Sequence, residues 1–177
     1  MTGTDIHIPT IETDRLRLRA PRLSDFAAYG AFCASPRSAG VGGPFGEWAA
    51  FERLAAIVGH WQMRGYGRWL VADKTTDEPL GIVGLMYPVD WPEPEIAWSV
   101  FDAAEGRGVA FEAAMRSRDY AYDTLGWTRV ISCTVPANAR SVALAKRMGA
   151  VHETNFEHDD IGTLNVWRHL SPQELAT

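Results

Sequence analysis

The sequence predicts an α/β domain: a mixed, mostly antiparallel sheet with a central parallel βαβ unit, flanked by helices. Three observations carry that expectation. Short apolar or alternating runs bounded by Gly, Pro and Asp recur along the chain and read as strands. Strand and helix patterns follow one another as β-α-α-β-β-β-α-β-α-β-β, with hairpins at both ends. In the middle, "EIAWSVF" and "RVISCTV" are joined through a helix, and such a crossover makes two strands parallel neighbours.

The elements follow in order. Leu16 and Leu18 alternate with Arg15, Arg17 and Arg19, the period of a half-buried strand, and Pro21 stops it. Ser24 is the expected cap of a short helix running to Phe32. "ASPRSAGVGGPFGE" is a loop by its Gly, Ser and Pro content. Trp48, Phe51, Leu54, Ala55, Val58 and Trp61 recur at helical spacing, and Gly65 closes that helix. "GRWLVADK" and "PLGIVGLMYP" form a hairpin around "TTDE". A helix runs from Gly106 to about Leu125. "NARSVALAKRM" is a second late helix, capped by Asn138 and ended by Gly149. "AVHETNF" and "TLNVWRHL" close the sheet. Residues 1–10 are expected to fray, 11–170 to form one domain, and 171–177 to be a tail.

Composition bounds the function. The chain has 177 residues, 46% apolar and 22% charged, enough for one sizeable core. No apolar run is long enough to span a bilayer, and the N-terminus lacks the pattern of a secretory signal, so a cytoplasmic protein is expected. Net charge is −5 with no basic block, which argues against nucleic acid as the partner and leans weakly towards a cationic substrate. Cys33 and Cys133 lie in apolar settings and read as buried free thiols. The five histidines show no metal spacing; "HDD" at residues 158–160 is too local to converge on one ion, and no metal is expected.

The chemistry gathers at "EGRGVAFE", residues 105–112. The first N–H groups of a helix lack intrahelical partners, and the dipole favours an anion there. Gly106 and Gly108 allow close backbone approach, and Arg107 adds positive charge, so the turn suits a diphosphate. A plain packing turn would look the same. Two alternatives fail. No GxxxxGK string followed by Ser or Thr exists, and the third position after Gly108 is Phe111, not Gly.

The turn, the strand before it and the Asn-x-x-Ser string after it resemble the GNAT N-acetyltransferases, most closely their ribosomal-protein N-terminal acetyltransferase (Rim-like) branch. The family signature, Gln or Arg, two variable residues, Gly, one variable residue, then Gly or Ala, aligns with Glu105, Gly106, Arg107, Gly108, Val109 and Ala110. The first position departs, being Glu. "LRLRAPRLSDFAAY", "GYGRWLVADKTTDEPLGIVGL" and "LGWTRVISCTVPANARSVALAKRMGA" match the family's opening, central hairpin and second half, so the likeness covers roughly residues 11–170.

The resemblance implies the acyl-CoA N-acyltransferase fold, with acetyl-CoA in a cleft where two parallel strands splay. Pantetheine would lie along Ser99, Val100 and Phe101, and the diphosphate on the amides from Gly106 to Ala110. Asn138 and Ser141 would face the cofactor; Asn138 is also a plain helix cap. The implied reaction joins an amine to a thioester by direct attack, with an oxyanion donor near Val100. Glu95 is the candidate base, through water, because Glu95, Ala97 and Ser99 share one strand face; the other reading is a solvated carboxylate at a strand end. Glu93 is the alternative base. Ser141 is the candidate acid for the leaving thiolate or a local backbone partner, since the Tyr that many relatives use would fall at Ala145.

Trp48 and Trp61 are expected in the core. Trp69 or Trp98 would flank the acceptor cleft, and Trp91 would be the exposed one, packing on a substrate or a second subunit. Loops 35–46 and 157–162 would choose the acceptor, a protein N-terminus or a small amine. A dimer is common among the proteins resembled. The reading from another class is a non-catalytic CoA-binding sensor, motivated by Glu105 and the missing Tyr. It predicts binding without turnover.

Overall fold

The computed structural model describes residues 6–177; residues 1–5 of the segment expected to fray lie outside it. Residues 6–10 carry no secondary structure but are docked. Ile8 packs on the core, and the Pro9 carbonyl accepts the Trp69 indole N–H at 2.8 Å.

The strands are β1 (Ile11–Glu12), β2 (Leu16–Arg19), β3 (Arg68–Asp73), β4 (Pro79–Met86), β5 (Glu95–Val100), β6 (Ile131–Thr134), β7 (Val151–His158) and β8 (Gly162–Arg168). They form one sheet in the order β1-β2-β3-β4-β5-β6-β8-β7. Every pair is antiparallel except β5–β6. The predicted fold class is therefore the observed one, with the short β1 added.

The helices are α1 (Phe26–Ala34), α2 (Glu47–Arg64), α3 (Val109–Asp119), α4 (Ala139–Arg147) and α5 (Pro172–Leu175). Strand alternation sorts them onto two faces. Leu70, Ala72 and Ile82 point towards α1 and α2 and bury Tyr29, Phe32, Leu54 and Ile57. Val71, Val83, Leu85 and Ile96 point the other way, onto Val109, Ala113 and Ala114 of α3. α4 lies on that second face, where Ala145 packs with Trp167 and Trp98.

Several local expectations are corrected. Ser24 caps nothing. A 3₁₀ turn over Leu23–Asp25 precedes α1, and Asp25 accepts the Arg22 N–H at 2.7 Å instead. Arg19, expected on the polar side of its strand, is buried. Its guanidinium grips Asp25 through two bonds of 2.9 Å and donates to Asp77 at 3.0 Å. Alternation cannot reveal this, because a buried charge is admitted only by a partner from another element. The buried face of α2 is Ala50, Leu54, Ile57 and Trp61, so Trp48 is 77% exposed rather than core. Ala50 permits close approach where a bulkier residue would not. α3 stops at Asp119, and a π-type turn over Tyr120–Thr124 follows. That turn sends Tyr120 against Trp69 and the Tyr122 hydroxyl to the Leu170 carbonyl at 2.7 Å.

The Arg19–Asp25 pair yields a stability prediction. Asp25→Asn keeps an acceptor but removes the charge beside a buried guanidinium. It should lower stability by about 2 kcal/mol, the scale of a charge-assisted hydrogen bond. For a chain of this length that is a fall in Tm of about 4–8 °C. A thermal melt that leaves Tm within about 1 °C would mean that the pair is not holding β2 to the turn.

Candidate active site

The parallel strands β5 and β6 share a single registered pair, Glu95 with Ile131, and then separate. Side chains occupy the gap. The Ser132 hydroxyl donates to the Ile96 carbonyl at 2.7 Å, and the Glu95 carboxylate accepts the Cys133 N–H at 2.7 Å. A ladder position taken by a side chain wedges the strands apart. The carbonyls of Pro94, Ile96 and Val100 all take donors on the β6 side. By the two-residue alternation, the N–H groups of Trp98 and Val100 point into the same gap.

A cavity of about 640 Å³ passes through this gap. One end lies at the start of α3, among Gly106, Gly108, Val109 and Ala110, with Asn138 and Ser141 of the α4 end beside it. The other end opens on the α1–α2 face, among Phe32, Val41, Arg53 and Arg68. Trp91, Glu95, Trp98 and Cys133 line its middle.

The α3 end presents to the cavity backbone N–H groups that are unpartnered among the described residues. Gly106 and Gly108 sit at φ of 73° and 76°, the left-handed region that disfavours side chains. Their turn leaves the amides of Val109, Ala110 and Phe111, the first three of α3, without a carbonyl partner among the described residues. The positive charge expected from Arg107 is not in the cavity. Its guanidinium turns back to the Ala103 carbonyl at 3.1 Å. Arg37, Arg140 and Arg147 line the cavity instead. The departure at Glu105 is explained by two of them. Its carboxylate bridges Arg140 and Arg37, whose hydrogen bonds, that of Arg140 first, hold its pKa below the usual carboxylate value. The negative charge near the cradle is thus neutralised.

Two strand residues divide from expectation. Val100 lines the cavity, but Phe101 does not. Its ring is buried against Tyr29 and Phe32, and its amide donates to Leu80 at 2.9 Å. Ser99 does line the cavity, on the α1–α2 side.

Glu95 is buried, not solvated. Burial pushes its pKa up to about 7, opposed first by the Cys133 N–H and then by the charge of Arg68. The Trp91 indole also favours the ionised form, although its N–H is buried and meets no hydrogen-bond geometry with any described residue. Glu93 is occupied elsewhere. It bridges Arg168 at 2.6 Å and Arg129 at 2.9 Å, which lower its pKa, and it does not line the cavity. Glu93, the alternative base, is thus an ion-pair partner outside the cavity.

At α4, Asn138 accepts the Ser141 N–H at 3.2 Å, the expected cap. The Ser141 hydroxyl accepts from the Trp98 indole at 3.2 Å, which leaves its own proton free to donate. Of the two tryptophans proposed to flank the cleft, Trp98 does and Trp69 is core, fully buried between Trp61 and Tyr120. Trp91 is half-buried rather than exposed, edge-on to His158 and Phe156. Cys33 is buried as expected; Cys133 reaches the cavity, and burial raises its pKa, which keeps the thiol protonated. Gly40, Val41 and Gly42 from the first acceptor loop and Asp160 and Ile161 from the second reach the cavity. No cluster of metal-ligating side chains occurs among the described residues. No helix of the described residues is long and apolar enough to cross a membrane.

Comparison with known proteins agrees with this geometry. Residues 15–151 match the Acetyltransferase (GNAT) domain. The chain is 35% identical to an acetyltransferase from Agrobacterium tumefaciens str. C58, covering 96% of this chain and 98% of that one, at a TM-score of 0.84. It is 26% identical to a GnaT-family acetyltransferase from Bordetella pertussis, covering 92% and 99%, at a TM-score of 0.77. The fold is shared with the ribosomal L7/L12 α-N-protein acetyltransferase RimL in complex with coenzyme A, at 17% identity, 92% and 98% coverage and a TM-score of 0.70.

Proposed function

The chain belongs to the GNAT acetyltransferase family, and from that premise we propose that it transfers the acetyl group of acetyl-CoA to a primary amine by direct attack in a ternary complex. One observation carries the reading: a single cavity joins the anion-binding start of α3 to a buried carboxylate through the gap between β5 and β6. Acetyl-CoA supplies the activated acetyl group. The amides at Val109, Ala110 and Phe111, with Arg37, Arg140 and Arg147, fit its phosphates. Asn138 and Ser141 stand beside the path towards the gap.

Each group then has a role. An amine must lose a proton to attack, and Glu95 is placed to take it, directly or through water. A carboxylate titrating near 7 is a far better base at neutral pH than one at 4.5. The Trp98 and Val100 amides are aimed where negative charge develops on the acyl oxygen. The Ser141 hydroxyl can protonate the departing thiolate.

The test is an amine panel read by thiol release from acetyl-CoA, run on the wild type and on Cys133→Ala. Turnover of at least one primary amine, retained within about threefold in Cys133→Ala, is expected. Loss of turnover in that variant would point to an acetyl-cysteine route instead. Stabilisation by acetyl-CoA in a melt, with no turnover of any amine, would favour a non-catalytic sensor. A ligand at about 100 times its Kd adds about 2.7 kcal/mol, so binding is easily seen.

A further inference from the structure

The α1–α2 end of the cavity opens into a smaller pocket of about 210 Å³, lined by Tyr29, Phe32, Val41, Arg53, Arg68 and Ser99. Five arginines line the main cavity: Arg37, Arg53, Arg68, Arg140 and Arg147. Arg37 and Arg140 are held by Glu105. Arg53 donates to the Val41 carbonyl at 3.0 Å and lies over the Phe45 ring. Arg147 lies over Phe111. The Arg68 guanidinium alone among them has no ion pair, hydrogen bond or aromatic partner among the described residues.

Arg68 is half-buried and its side chain lines the cavity, so its guanidinium donors are free for a ligand. Burial pulls the Arg68 pKa down, with Tyr29 and Glu95 opposing. The Ser99 hydroxyl beside it also has no hydrogen bond among the described residues. Two arginines and a hydroxyl without a hydrogen bond among the described residues therefore line one small pocket. Arg presents a planar fork that matches a carboxylate in two parallel bonds.

We propose that the acceptor is a small amino acid whose carboxylate is bound by Arg68, with Arg53 and Ser99 in support, while its amino group lies towards Glu95. This rests on the acetyl-transfer reading above and narrows it from any primary amine to a carboxylated one. Arg68 would set specificity by binding the carboxylate, while its charge also favours the ionised form of Glu95.

Matched acceptors test it: free α- and β-amino acids, their amides, their decarboxylated amines, and short peptides with neutral or acidic N-terminal residues. In the wild type, kcat/KM for the best acid should exceed that for its amide by about 10- to 100-fold, the scale of a charge-assisted bidentate pair. Arg68→Met should collapse that ratio towards one, mainly through KM, and Arg68→Lys should restore part of it. Arg68→Met should also leave Tm within about 2 °C of wild type, because the guanidinium has no hydrogen bond or ion pair among the described residues to lose. Equal use of acid and amide by the wild type would overturn the proposal while leaving acetyl transfer intact. So would a preference for peptides, or an unchanged ratio in Arg68→Met. Failure of every amine, with no stabilisation by acetyl-CoA, would instead overturn the acetyl-transfer reading beneath it.

Discussion

Glu95→Gln should lower kcat by about 10²- to 10³-fold and leave acetyl-CoA affinity unchanged, the range for loss of a positioned base. Glu95 sits in the middle of the cavity, and its partner is the Cys133 amide, which a Gln carbonyl can still satisfy. The variant therefore removes the proton acceptor without emptying the wedge. In the wild type, the rate should rise with pH through an apparent pKa near 7, because the base works when ionised. That limb should vanish in Glu95→Gln.

A second signature of the same variant is thermodynamic. The folded pKa of Glu95 lies above its unfolded value of 4.5, at about 7. The folded state then binds more protons between those values, so this group's contribution to stability falls as pH rises from 4.5 to 7. The loss approaches about 3 kcal/mol above pH 7. His169 slopes the other way. Burial holds its pKa down to about 3, so stability that it supports is lost as pH falls from 6.5 towards 3. His169 is present in both proteins, so their difference isolates Glu95. Glu95→Gln should match wild type at pH 4.5 and melt about 5–10 °C higher at pH 8. A rate unchanged across pH would remove Glu95 as the base. A stability difference that does not grow with pH would remove the buried, high-pKa carboxylate.

Gly108→Glu should weaken acetyl-CoA binding by at least about 10²- to 10³-fold. At φ of 76°, any side chain costs about 1–2 kcal/mol. A Cβ there meets only the tip of Arg15, at 3.4 Å, so the backbone term dominates the folding cost. A carboxylate beside the amides of Val109 and Ala110 does something further. It occupies the cradle with its own negative charge, which the helix start accepts as readily as a phosphate. Gly108→Ala separates the two effects: it carries the backbone strain without the charge, and should bind only a few-fold more weakly. Calorimetric titration of both variants, each checked by a melt, decides it. Equal affinities for Gly108→Glu and wild type would move the diphosphate away from α3.

Much of this protein was legible in its sequence, and the reason is local. Strand alternation at Leu16 and Leu18, the turn residues of "TTDE", and the Asn138 cap depend on neighbours a few residues away, and each lies where it was expected. The parallel pairing of β5 with β6 followed from a crossover rule that needs only element order. The glycines at 106 and 108 marked a turn where the backbone can approach closely, and the structure adds that both are left-handed. Tertiary structure alone decided the charges. Arg107, next to the cradle in sequence, turns away, while Arg37, Arg140 and Arg147 arrive from other elements. The pairing of Arg19 with Asp25, the neutralisation of Glu105, the capture of Glu93 by Arg129 and Arg168, and the solitude of Arg68 likewise depend on which remote group comes within a few ångströms. So does the rise in the Glu95 pKa. Desolvation and Coulomb energy are set by three-dimensional neighbours and not by spacing along a chain, so composition and periodicity could place a carboxylate at the head of β5 but could not say whether it would be a base.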